Sequence, residues 1–116
     1  MRRQDSRLLA TLVVLAPMMA PDMAAAATLA ELAEWCGNSA ESRERLCSTY
    51  LETIIEGLAS TDPIMNGGNR MCIPPEADRA EIIRLTRGYA AQSGAANDMS
   101  ALDGVGTALR GRYPCR

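Results

Sequence analysis

Four cysteines, Cys36, Cys47, Cys72 and Cys115, constrain this chain more than any other feature. The nearest two are eleven residues apart, whereas zinc sites usually take cysteines in pairs separated by a few residues. The sequence has no histidine, so the other usual zinc ligand is missing. The pattern therefore reads as a disulfide framework, for which three pairings are open. Cys36 ends one helical pattern and Cys47 starts the next, so a short antiparallel hairpin brings these two together. That leaves Cys72 for Cys115, which would pin a terminus otherwise prone to fray. By loop-closure entropy the two bridges are worth at most roughly 3 and 4 kcal/mol. Together that is comparable to the whole stability of a small domain.

The need for staples follows from the start of the chain. Arg2, Arg3 and Arg7 form a positive n-region, and Leu8 to Ala20 an apolar stretch too short to remain as a membrane span. Ala24 to Ala27 supply the small residues of a cleavage site, with the cut expected after Ala26 or Ala27. Gln4-Asp5-Ser6 continue a twin-arginine signal poorly, which favours general secretion, and no cysteine follows at a lipidation position. Residues 1–27 are therefore read as a cleaved signal peptide and 28–116 as a single periplasmic domain without a permanent membrane span. A mature chain of about 89 residues buries a marginal core, and an oxidising compartment allows disulfides to supplement it.

Composition removes several classes of function. The mature part carries nine Arg against twelve carboxylates, no Lys and few aromatic residues. It offers neither a basic stripe to neutralise phosphates nor rings to stack bases on, so nucleic acid is not an expected partner. Without histidine there is no Ser–His or Cys–His nucleophile pair. Glu52 and Glu56 are one helical turn apart and Glu44 continues their row, but a convex helix face does not shift carboxylate pKa values as a cleft does. No enzyme activity, cofactor or metal is expected. The acidic row reads as a solvated face or as a contact surface for a basic protein.

The period of the apolar residues is helical throughout the mature part. Thr28-Leu29-Ala30-Glu31 reads as a capping box that starts a helix running to about Cys36, stopped by Gly37-Asn38. Trp35, the single tryptophan, is read as an anchor at the core or its edge. The longest pattern, Arg43 to Ser60, places Leu46, Tyr50, Ile54, Gly57 and Leu58 on one stripe. Ser39 or Ser42 can cap it, and the other helices are expected to dock on it. Gly57 implies a close neighbour, because a helical glycine otherwise costs up to about 1 kcal/mol relative to alanine. A third helix is expected from Glu76 to about Ala91, with Ile82, Ile83, Thr86 and Tyr89 buried. A fourth, started by Asn97 or Asp98, carries Met99, Leu102, Val105 and Leu109 and is weakened by Gly104 and Gly106. The expectation is a small all-α, four-helix, disulfide-stapled domain.

Between the second and third helices, Thr61-Asp62-Pro63 and Asn66-Gly67-Gly68-Asn69 are turn chemistry. Ile64, Met65 and Met71 lie inside this polar loop, where they either fold back on the core or stay exposed for a partner.

One set of landmarks resembles a known family. It comprises Cys47-x-x-Tyr50-Leu51, Gly57 late in that helix, Cys72-Ile73-Pro74, then Ala108-Leu109-x-x-x-Tyr113-Pro114-Cys115. Over about Leu29 to Cys115 this is similar to the Rap/Tai immunity proteins of type VI secretion amidase effectors. The resemblance implies an all-helical periplasmic protein, often a homodimer, that covers the active-site groove of a papain-like cysteine amidase acting on peptidoglycan. Two departures stand out: Thr53 replaces a frequent mid-helix glycine, and Ser93-Gly94-Ala95-Ala96 replaces a stretch that tends to hold proline. On this reading the inserted loop runs from Asp62 to Met71, with Asp62, Ile64, Met65, Asn66, Arg70 and Met71 as the contact residues. The Gln92–Asp98 connection is a second candidate. The rival reading is a small periplasmic acid-stress-type chaperone or an orphan binding protein. Four cysteines and a pinned terminus argue instead for rigidity.

Overall fold

The computed structural model describes residues 27–115; the charged and apolar parts of the predicted signal peptide lie outside the described residues. Five helices follow in order: α1 (Leu29–Cys36), α2 (Glu41–Ala59), α3 (Pro63–Asn66), α4 (Arg79–Gln92) and α5 (Ala101–Leu109). Four of them answer to the four sequence patterns, and α3 is a single turn inside the polar loop. The domain is small, all-α and disulfide-stapled. Among the described residues the only strand-like feature is an isolated bridge between Thr28 and Ser100.

The helix starts follow local capping chemistry. At α1, the Thr28 hydroxyl accepts from the Glu31 N–H at 3.1 Å while a Glu31 carboxylate oxygen accepts from the Thr28 N–H at 2.9 Å, the reciprocal pair of a capping box. Helix α2 starts two residues earlier than its apolar stripe indicates. Neither Ser39 nor Ser42 caps it; the cap residue is Ala40, whose N–H donates to Asn38 Oδ1 at 2.9 Å. Helix α4 starts at Arg79 rather than Glu76. Pro75 and Glu76 are used in a turn closed by the Ala77 N–H on Pro74 O at 3.1 Å. Asp78 then caps the helix through the Ala80 N–H at 3.0 Å. For α5 the cap is Ser100, which accepts from the Asp103 N–H at 3.1 Å. Asn97 and Asp98 fall instead in the turn before it.

Helix α1, the shortest of the four main helices, and α5 share the centre: α1 packs on α2, α4 and α5, and α5 packs on α1, α2 and α4. The expectation that every element docks on α2 is thus corrected. Helix α4 rests on α1 and α5 and reaches α2 through the exposed Arg79–Glu52 ion pair at 3.7 Å. Leu29 and Leu32 of α1 are fully buried, together with Leu51, Leu58, Ile82, Val105 and Leu109. Gly104 explains how α1 comes so close. A Cβ there would stand 2.6 Å from Leu29 Cδ1, so the glycine that weakens α5 in isolation is the recess for Leu29. Trp35 is half-buried and tilted against Tyr50, with ring centroids 4.9 Å apart.

Two disulfides close the fold, Cys36–Cys47 and Cys72–Cys115, and no cysteine is free. The first joins the end of α1 to α2. The second ties the chain after the loop to the tail, where Tyr113 is buried and its carbonyl accepts from the Cys72 N–H at 3.0 Å. Arg112 pairs with Glu81 of α4 at 3.0 Å. The hydrogen bond it donates to that carboxylate, then the carboxylate's charge, raise the Arg112 pKa above the ordinary arginine value.

On α4, Ile82 and Thr86 are buried, while Ile83 and Tyr89 are partly covered. The Thr86 hydroxyl is fully buried and makes no hydrogen bond, a burden of about 1–3 kcal/mol for such a group. Valine has the same shape and nearly the same helix propensity. Thr86→Val is therefore expected to raise unfolding stability by about 1 kcal/mol. Urea denaturation with an unchanged m-value checks this, and a loss of stability would mean the hydroxyl is satisfied.

Candidate functional site

Helix α3 and its turns form a knuckle standing on the end of α2. Asp62 caps it, its carboxylate accepting from the Ile64 N–H at 2.9 Å, and Pro63 occupies the first turn, where its lack of an N–H costs nothing. Gly67 ends the turn in the left-handed region, φ 60°, a conformation that glycine adopts without strain. The knuckle can sit this close because of Gly57. A Cβ on Gly57 would lie 2.9 Å from the Met65 carbonyl oxygen, which supplies the neighbour that glycine implies.

The predicted contact residues divide into two groups. Ile64 is 87% exposed and Met65 53% exposed, the large apolar side chains most open to solvent among the described residues. Asp62 and Arg70 are exposed beside them in sequence. Asn66 and Met71 are each only 3% exposed and so present no area to a partner. This corrects their expected role. The Asn66 amide donates to Ser60 O at 2.9 Å and accepts from the Gly68 N–H at 2.7 Å, which folds the turn onto itself. The side chain of Met71 joins the core, and its N–H donates to Leu58 O at 2.8 Å. One apolar residue of the loop folded back and two stayed out, a division that depends on which side of the turn each falls.

Three further residues, none of them among the predicted contact residues, bond together on the far side of the loop. The Asn69 amide donates to Asp103 Oδ1 at 3.2 Å and accepts from Arg110 Nη2 at 3.1 Å. Their only sequence signal was the turn propensity of Asn69. The second candidate connection, Gln92–Asp98, is largely exposed, with Ala96 buried, and it runs against the head of α1. Ala96 O and Met99 O accept from the first N–H groups of α1, those of Ala30 and Leu29, at 3.1 and 2.9 Å. The Glu44, Glu52 and Glu56 row is exposed, with Glu52 carrying the Arg79 ion pair. Among the described residues, no group of three or more His, Cys, Asp or Glu is placed to hold a metal ion. Two surface hollows, each near 460 Å³, are open. In the hollow beside Cys72, the Glu81 carboxylate is engaged by Arg112 and Arg84.

A small helical body thus holds two apolar side chains out on a short, internally bonded turn. A family model described as Rap1a immunity proteins matches residues 28–115, and the chain belongs to that family. Among curated proteins and solved structures, none matches it. Membership implies an inhibitor rather than an enzyme, with a cognate effector as its partner. No helix among the described residues is long and apolar enough to cross a membrane.

The seat at Gly57 carries a prediction whose sign is diagnostic. In an open helix Gly→Ala stabilises by up to about 1 kcal/mol. Here Gly57→Ala forces the Met65 carbonyl away, and overpacking of that kind costs about 1–3 kcal/mol. Thermal unfolding of the variant should show a lower Tm. A higher Tm would show that the knuckle does not rest on α2.

Proposed function

We propose that the mature protein is a periplasmic immunity protein. In this reading it binds a papain-like cysteine amidase, delivered by type VI secretion to cut peptidoglycan peptides, and covers its active-site groove with the α3 knuckle. The observation that carries the reading is the pair Ile64 and Met65, held exposed on a capped, disulfide-anchored turn in a chain of an immunity family. Exposed apolar side chains of this size each contribute about 1.5–3 kcal/mol when a partner buries them. A turn already ordered in the free protein loses little entropy on binding, which suits tight inhibition. Asp62 and Arg70 flank the apolar pair and give the contact a polar rim. The row of Glu44, Glu52 and Glu56 steers a basic effector, an effect that added salt weakens.

Export fits the same reading, since two disulfides persist in an oxidising compartment. Of the two cleavage positions, the one after Ala26 is favoured. Ala27 is buried, and its carbonyl accepts from the Ala101 N–H at 2.8 Å, so removing it would strip a bond from the head of α5. Mass spectrometry of the exported protein is expected to find Ala27 first. A product that starts at Thr28, or retains Met1, would overturn that assignment. The homodimer implied by the resemblance belongs to this reading as well, and sedimentation equilibrium separates it from a monomer.

The decisive test is co-expression in the periplasm with the proposed papain-like cysteine amidase. Wild type should prevent lysis. Ile64→Asp combined with Met65→Asp should weaken binding by a factor on the order of 100 or more and abolish protection, with the helical spectrum unchanged. Full protection by the double variant would remove the knuckle from the contact. A wild type that neither binds nor protects would sink the immunity reading itself.

A further inference from the structure

We infer that Asn69, clamped between Asp103 and Arg110, is the latch that holds the Ile64–Met65 knuckle in its presented position. The inference rests on the immunity reading for its purpose but not for its mechanics. The Asn69 amide lies between a carboxylate and a guanidinium, both on or next to α5. Its NH2 donates to Asp103 Oδ1 at 3.2 Å and its oxygen accepts from Arg110 Nη2 at 3.1 Å. That orientation is the one the charges impose, since only the amide oxygen can accept from a guanidinium and only the NH2 can donate to a carboxylate. Both bonds involve an ionised partner, which strengthens them relative to neutral ones. The same NH2 is 3.3 Å from Gly67 O, the cap residue of α3, so the latch reaches the knuckle directly. Gly106 seats it from behind, where a Cβ would stand 2.9 Å from Asn69 Cβ.

The latch also spans a long stretch of chain. Asn69 lies 34 residues from Asp103 and 41 from Arg110. The other ties of the loop, Asn66 to Ser60 and Met71 to Leu58, run back to the end of α2. Asn69 gives the loop its side-chain tie to α5, so the knuckle is gripped from two helices rather than one. Without it the turn keeps its hydrogen bonds to the end of α2 and the approach of Gly67 to Leu102 but loses its hydrogen bonds to α5, and Ile64 and Met65 sample positions that a partner must reorder at a cost. Asn69 is therefore a positioning residue: it sets where the apolar pair stands without itself supplying the contact.

Hydrogen exchange on the free mature protein tests this without any partner. In Asn69→Ala the amides of Met65, Asn66 and Gly67 should exchange about tenfold faster, what the loss of one or two net hydrogen bonds is worth. Those of Leu51 and Ile54 in α2 should keep their protection. Gly106→Ala, which displaces Asn69 while favouring the helix, should loosen the same three amides. Unchanged exchange in both variants would overturn the latch, whatever the amidase does. The second arm measures binding to the amidase with its cysteine inactivated. Association by Asn69→Ala should slow about tenfold, and restoring order by a clamp elsewhere in the loop should recover it. Faster exchange with unaltered binding would show that the latch positions nothing the partner reads. If wild type fails to bind at all, the immunity reading falls while the exchange arm still decides the latch.

Discussion

The docking of the first turn of α1 onto the head of α5 is the contact on which the rest of the domain depends. The first backbone N–H groups of any helix lack partners within it. Here two of them, on Leu29 and Ala30, find Met99 O and Ala96 O, and the Ala101 N–H of α5 finds Ala27 O in return. The exchange satisfies both helix starts at once and buries Leu29 against Gly104. An eight-residue helix would not persist alone in water. Fixed at one end by these bonds and at the other by Cys36–Cys47, it becomes the post around which α2, α4 and α5 close.

The two disulfides act at different levels of this arrangement. Cys36–Cys47 lies within the hairpin that α1 and α2 already form, with Cys47 buried. It restrains a short loop and keeps Trp35 against Tyr50. Cys72–Cys115 spans 43 residues and therefore removes more freedom from the unfolded chain. Around it, buried Tyr113 and the Arg112–Glu81 pair hold the tail by contacts of their own. The exposed ion pair contributes little, so the buried ring and the bridge are what hold the last residues on the body. The same bridge fixes the point where the knuckle loop returns to the core, one residue after Met71.

Small residues do similar work at three places. Gly104 admits Leu29, Gly57 admits the Met65 carbonyl, and Gly106 admits Asn69. Each weakens its own helix by up to about 1 kcal/mol and allows a neighbour into a gap no side chain could share. Two of the three lie under the loop. The knuckle thus sits close on α2 and α5 because both were left bare beneath it, while Ile64 and Met65 stand exposed.

The sequence by itself determined the helical class and the capping box at Thr28, because these depend on residues close together in the chain, and its four cysteines marked it as stapled. It also marked Gly57 as a seat, since a helical glycine needs a reason. Its helix lengths misled about hierarchy. Apolar periodicity measures how much of a helix is buried, not which helices it meets, so α2 looked central although α1 and α5 are the two that pack on all the other main helices. The loop was legible as turn chemistry, but the division between exposed Ile64 and Met65 and buried Asn66 and Met71 was not. That division depends on how the turn folds back on the end of α2, where Asn66 meets Ser60 and Met71 meets Leu58. Only tertiary structure could bring Asp103 and Arg110 to Asn69, for the bonds that matter there join residues with no local relation in the chain.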